Sequence, residues 1–152
     1  MASRRFWPAL LPGFLLAQSS GVLSLAPVEK LAARRGATVD AKMAFILQPG
    51  YHTNSHTPSE DYLIPLKLTW DKGPLEVVEV VYPKPHFEKY SFSEKPLSVF
   101  TGNFHIVTRF KVAAGTPSGP NMMSGKLRYQ ACNDKACLPP KNLEVKLPVV
   151  IQ

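Results

Sequence analysis

The sequence predicts an all-β protein folded as an antiparallel β-sandwich. Three observations carry that expectation. From Thr38 onward, apolar and polar residues alternate with the two-residue period of half-buried strands. Turn residues interrupt the alternation roughly every 8–12 positions, the spacing of a sandwich of short strands. The 15 prolines, about twice the usual share, are scattered along the chain, which suits fixed turns and disfavours long helices.

The elements follow in order. Residues 22–36 read as a linker with a weak helical tendency over Val28 to Arg35. Val39, Ala41, Met43, Phe45 and Leu47 form the first alternating strand, closed by Gln48-Pro49-Gly50. Tyr51 to Asn54 continue as strand, and Ser55 to Asp61 form a loop by composition. Ile64, Leu66, Leu68 and Trp70 alternate with Pro65, Lys67 and Thr69, and Pro65 places this strand at an edge or marks its start. Asp71-Lys72-Gly73-Pro74 is a turn. Leu75 to Tyr82, rich in valine, is the next strand, ended by Pro83 and Pro85.

His86 to Pro96 reads as irregular, aromatic and charged. Leu97 to Phe100 and Phe104 to Val112 are two strands joined at Thr101-Gly102-Asn103. Ala114 to Ser124, with two prolines and two glycines, reads as a loop. Leu127, Tyr129 and Ala131 then alternate with Lys126, Arg128 and Gln130, and Leu143, Val145, Leu147 and Val149 close the domain.

Ahead of this lies an export signal. Arg4 and Arg5 are its positive start, Phe6 to Ala17 its apolar stretch, and Ser19, Ser20 and Gly21 the small residues that follow. The apolar stretch, broken by two prolines and a glycine, is too short to span a bilayer. The expected organisation is a signal peptide at 1–21, a linker at 22–36 and one domain at 37–152. Without Arg4 and Arg5 the chain keeps 16 basic and 11 acidic residues, a formal charge of +5. Apart from Arg34-Arg35 the basic residues stand singly among apolar ones, which is a solvated surface rather than a nucleic-acid footprint. Export, to the periplasm or beyond, would place the two cysteines where disulfides form and persist.

Those cysteines, Cys132 and Cys137, have four residues between them at the end of an alternating strand. Cys132 follows Gln130 on the polar face, so its sulfur should leave the core side where the strand ends. A tight hairpin loop brings its ends within the roughly 4.4–6.8 Å between Cα atoms that a disulfide needs. Both sulfurs would then sit at an exposed tip. Two readings stay open on spacing alone. A structural staple is one, although so short a loop constrains the unfolded chain by only about 2 kcal/mol. A labile, exchanging disulfide is the other.

The segment Tyr129-Gln130-Ala131-Cys132-Asn133-Asp134-Lys135-Ala136-Cys137-Leu138-Pro139-Pro140 resembles the redox loop of the N-terminal periplasmic domain of DsbD, the membrane thiol:disulfide interchange protein family. The likeness extends to Pro49-Gly50-Tyr51-His52, the strand ending at Trp70 and the closing strand, from about Thr38 to Val150. One departure is loop length, since the best-known members carry one more residue between the cysteines. The resemblance implies an immunoglobulin-like domain of the protein-disulfide reductase type, passing two electrons through the cysteine pair. Cys137 would form the mixed disulfide and Cys132 resolve it. Tyr90 and Phe92, within His86 to Phe92, would be a cap over the cysteines, with Tyr51 and His52 close by.

The resemblance further implies no cofactor beyond the sulfurs. Its partners would be thioredoxin-like proteins and a membrane electron carrier supplied as separate chains, with this domain a monomer. A second function, from another class, is an exported immunoglobulin-like binding or accessory module with an inert staple. His52 and His56 are spaced as metal ligands on a helix would be, but their stretch reads as strand and loop, so no metal site is expected. Gly-rich phosphate loops, nucleophile elbows and paired catalytic carboxylates are absent from the sequence.

Overall fold

The computed structural model describes residues 21–152; the expected signal peptide lies outside them except for Gly21. The described chain is all β. Its strands are β1 (Leu23–Leu25), β2 (Leu31–Ala33), β3 (Thr38–Leu47), β4 (His52–Asn54), β5 (Lys67–Trp70) and β6 (Glu76–Val81). They continue with β7 (His86–Glu88), β8 (Leu97–Thr101), β9 (Phe104–Lys111), β10 (Gly119–Tyr129), β11 (Ala131–Cys132) and β12 (Lys141–Ile151). Three four-stranded sheets result, ordered β1-β3-β9-β6, β2-β12-β10-β5 and β11-β4-β8-β7. Every pairing is antiparallel except β2 with β12.

The first two sheets face each other, and their inward side chains form the core. Met43 and Phe45 of β3 and Phe104 and Ile106 of β9 meet Leu68, Leu127, Tyr129 and Val145 from the opposite sheet. A second cluster, with Ala41, Phe110, Met123, Leu147, Val149 and Ile151, continues the layer. Trp70 packs against both clusters. Its indole Nε1 donates to the buried Thr108 Oγ1 at 3.0 Å, which satisfies a hydroxyl inside the layer. Opposite Trp70 in the register stands Gly125. A Cβ there would lie 2.6 Å from the Thr69 carbonyl oxygen and 3.0 Å from the Trp70 ring, so only glycine lets the two strands approach this closely.

The predicted turns at Gly50 and Gly102 both carry positive φ, +85° and +66°, which glycine adopts without steric cost. Several expectations need correction. The stretch 22–36 is not a linker or helix: it carries β1 and β2, and Leu23 and Ala33 are fully buried. Runs of three residues are too short for periodicity to reveal, and their pairing with distant β3 and β12 is what makes them strands. Gly119 to Ser124 belong to β10, paired residue by residue with β12, where a loop was expected. His86–Glu88, expected to be irregular, pairs with β8 as an edge strand. The valine-rich β6 also lies at an edge, with Val77, Val78 and Val81 exposed and a register shift between Val77 and Glu79. Such a bulge blunts an open edge.

Candidate functional site

The third sheet carries the cysteines. After Tyr129 the chain leaves the β10 ladder at Gln130, whose side-chain amide donates to the Leu138 carbonyl at 3.3 Å. It re-enters as β11, pairing Ala131 with Thr53 and Cys132 with His52. Beyond Cys132 the loop turns on Asn133, whose Oδ1 accepts from the backbone N–H groups of Lys135 at 2.9 Å and Ala136 at 2.8 Å. This local capture is what asparagine favours in turns. Cys137 then returns opposite Cys132 as an antiparallel bridge.

The backbone of that bridge is held from both sides. Asn133 N–H donates to the Ala136 carbonyl at 2.9 Å, and Leu138 N–H to the Ala131 carbonyl at 2.8 Å. The two cysteines therefore form a non-hydrogen-bonded pair, the closer of the two antiparallel classes. Their Cα atoms are 3.9 Å apart and the sulfurs are bonded. The separation is shorter than the span expected from sequence.

Exposure divides the pair, and here the sequence expectation fails. Cys132 is only 2% exposed, whereas Cys137 is exposed. Alternation along Lys126 to Cys132 placed Cys132 outward. The break at Gln130 moves it into another sheet, where it pairs with His52. Ala131 faces the core, and Cys132 lies beside its partner His52, itself 3% exposed.

The connection between β7 and β8 forms a roof over His52. The Tyr90 ring stacks on His52 with centroids 4.0 Å apart, and Phe92 lies parallel to His52 at 6.3 Å and to Tyr90 at 5.4 Å. Ser93 closes the turn: its hydroxyl accepts from Tyr90 N–H at 3.2 Å, and its N–H donates to the Tyr90 carbonyl at 3.1 Å. Ser91 Oγ donates to the Asp134 carbonyl at 3.4 Å, so the roof touches the cysteine loop directly. Phe92 is 47% exposed.

Glu88 organises the underside. Its carboxylate accepts from Tyr90 Oη at 3.0 Å and pairs with His86 Nε2 at 3.1 Å, while His86 also contacts Thr101 Oγ1 at 3.1 Å. Burial, then the hydrogen bond to Glu88 and its charge, push the Tyr90 hydroxyl well above its usual range, so it remains a donor. Burial lowers the His52 imidazole, with Glu88 opposing more weakly, so His52 is neutral near pH 7. Its Nε2 is buried with no hydrogen-bond partner among the described residues.

Of the residues singled out from sequence, Cys132, Cys137, His52, Tyr90 and Phe92 converge. Tyr51 does not: it packs, half-buried, against the main core cluster. Glu88, Ser91 and Asn133 were missed. Reading His86 to Tyr90 as strand would have found Glu88, because alternation places His86, Glu88 and Tyr90 on one side and the 68% exposed Phe87 on the other. Among the described residues, no group of three His, Cys, Asp or Glu side chains is placed to hold a metal ion.

Among curated proteins no match is found. The N-terminal domain of DsbD from Neisseria meningitidis in the reduced form is a structural neighbour at 17% identity and TM-score 0.49, over 74% of this chain and 79% of that one. The N-terminal periplasmic domain of ScsB from Proteus mirabilis is another, at 12% identity and TM-score 0.54, over 82% of this chain. This chain spans 44% of that ScsB structure. At such identities the ScsB likeness concerns the fold alone. A family profile described as thiol:disulfide interchange protein DsbD, N-terminal, matches residues 22–148, from the start of β1 into β12. With that span matched, the chain belongs to the DsbD N-terminal domain family.

Proposed function

We propose that this domain passes electrons to or from thioredoxin-like proteins in an exported compartment, through the Cys132–Cys137 pair. Family membership and the bonded pair support thiol–disulfide exchange in general. The observation that carries the finer reading is the asymmetry between a buried Cys132 and an exposed Cys137. In one direction, a partner thiolate attacks Cys137 Sγ. The Cys132–Cys137 bond breaks, a mixed disulfide forms at Cys137, and Cys132 leaves with the electron pair and takes up a proton. The partner's second thiolate then displaces Cys137, which leaves two thiols here and a disulfide on the partner. Running the same steps backwards delivers the electrons to an oxidised partner.

The geometry supports distinct roles for the two sulfurs. An exposed sulfur is the one an incoming protein thiol can reach in line with the S–S bond. A buried sulfur is protected from outside thiols and returns to Cys137 intramolecularly. His52 lies directly across the strand pair from Cys132, the sulfur that departs in the first step. Tyr90 and Phe92 form the cap over this half of the couple. The signal-peptide pattern expected at residues 1–21 and the periplasmic location of the ScsB domain support the exported location.

The test is trapping. Cys132→Ser leaves Cys137 unable to be released, so the variant is expected to accumulate a mixed disulfide with a thioredoxin-fold protein in periplasmic extract, identifiable by mass spectrometry. Titration of the wild-type couple against glutathione buffers is the second measurement. A potential well below about −300 mV, the range of inert structural disulfides, together with no trapped partner, would favour a staple.

A further inference from the structure

We infer that the outward face of the β5-β10-β12 sheet is a docking surface for an acidic patch on the exchange partner; the inference rests on the exchange reading above. β10 presents Lys126 and Arg128 outward, and β5 presents Lys67 beside them. Together with Thr69, Asn142 and the edge at Pro140 and Lys141 they line a shallow groove of about 480 Å³. Among the described residues, none of Lys67, Lys126 and Arg128 has a carboxylate within 4.0 Å. The one acid on this face, Glu144, stands opposite Lys126 in the register and is drawn to Lys146 at 3.7 Å.

Stability does not explain the arrangement. Lys67 stands directly opposite Arg128 in the β5–β10 register, and like charges in that position repel. A sheet face kept cationic at a cost to folding is suited to meeting an anionic surface.

Position selects the occupant. Arg128 stands four residues before Cys132 in the chain, and Cys137 is followed within three residues by Pro140, which borders the groove. A protein whose thiol reaches Cys137 is thereby brought towards the Pro140 and Lys141 edge of this groove. An acidic rim around that thiol would be steered in and oriented by them, which raises the rate of encounter more than the final affinity. A lipid surface has no comparable reason to sit beside the cysteine hairpin.

The experiment uses two synthetic peptides as reductants, one with cysteine between two pairs of glutamates and one with cysteine between two pairs of lysines. Reduction of the Cys132–Cys137 bond is followed for the wild-type protein and for Lys126→Glu/Arg128→Glu. A control, Lys42→Glu/Lys111→Glu, makes the same charge change on the other sheet. Rates are compared between proteins, so the peptides' own thiol reactivities cancel.

At low salt the Lys126→Glu/Arg128→Glu variant is expected to slow the acidic peptide by about 5-fold or more and to speed the basic one, and the effect should collapse near 0.5 M salt. The neutral variant Lys126→Gln/Arg128→Gln should fall between, which guards against a folding defect in the first. Equal effects from the active and control variants would overturn the docking surface while leaving exchange intact. The proposal would also be overturned, in favour of a membrane surface, if the peptide rates stayed unmoved while the variant lost binding to phosphatidylglycerol vesicles. Failure of both peptides and of dithiothreitol to reduce the bond would instead remove the exchange reading itself.

Discussion

Removing the aromatic roof should unmask one sulfur and not the other. In the reduced protein, Cys137 is expected to react with iodoacetamide far faster than Cys132, because only Cys137 is exposed. Besides the exposed Ser91–Asp134 hydrogen bond, the roof is joined to the body by ring contacts with His52, from Tyr90 at 4.0 Å and Phe92 at 6.3 Å. An aromatic pair of this kind contributes about 0.5–1.5 kcal/mol beyond area burial, so Tyr90→Ala should raise the open fraction by roughly 2- to 13-fold. Tyr90→Ala/Phe92→Ala removes about 1–3 kcal/mol, an upper range of roughly 5- to 150-fold. The long second contact argues for a value nearer 10-fold.

The hydrogen bond from Tyr90 to Glu88 adds little to this sum, because it is exposed to solvent. The assay is pulse alkylation of the reduced protein with peptide-level mass spectrometry, which reads the two cysteines separately. Cys132 should accelerate by the stated factor while Cys137 stays within about two-fold, since no opening is needed to reach it. Equal wild-type rates at the two cysteines, or a Cys132 rate indifferent to both variants, would refute the reasoning.

Three further outcomes follow from geometry elsewhere. His52 and His56 are both lowered by burial, so the unfolded chain binds more protons than the folded one just below the ordinary histidine value of 6.5. The contribution from keeping them neutral is complete above that value and is lost as pH falls below it, so Tm should drop between pH 7.5 and pH 5, and His52→Gln should flatten the slope. Gly125→Ala should destabilise by about 1–3 kcal/mol in chemical denaturation, because the new methyl meets the Thr69 carbonyl rather than a movable side chain. Trp70→Phe should cost about 1–3 kcal/mol by leaving the buried Thr108 hydroxyl unsatisfied, and Trp70→Phe/Thr108→Val should recover part of that loss.

The sandwich was readable because β3, β9 and β12 are long enough for alternation to repeat several times, as in Phe104, Ile106, Thr108 and Phe110, all buried. What escaped was short or non-local. Leu23–Leu25 and Leu31–Ala33 become strands only by docking on partners far along the chain. The cysteine pairing itself was legible in hairpin spacing and in the resemblance. The burial of Cys132 was not, because it follows a sheet change at Gln130 that pairs it with the buried His52, on which Tyr90 stacks. Alternation carries through a strand but says nothing about which sheet the next residue joins.

The hairpin around the cysteines is fastened three times over without its sulfurs. Two main-chain bonds flank the bridge, and the Asn133 side chain captures both N–H groups at the tip. Gaining or losing the two electrons therefore demands little rearrangement of the surrounding backbone. Oxidised and reduced forms can share one shape, so repeated turnover costs no refolding, and a partner meets the same contours whichever way the charge is moving. Asn133→Ala tests this: nuclear magnetic resonance shifts in the loop should differ between redox states more in the variant than in the native protein.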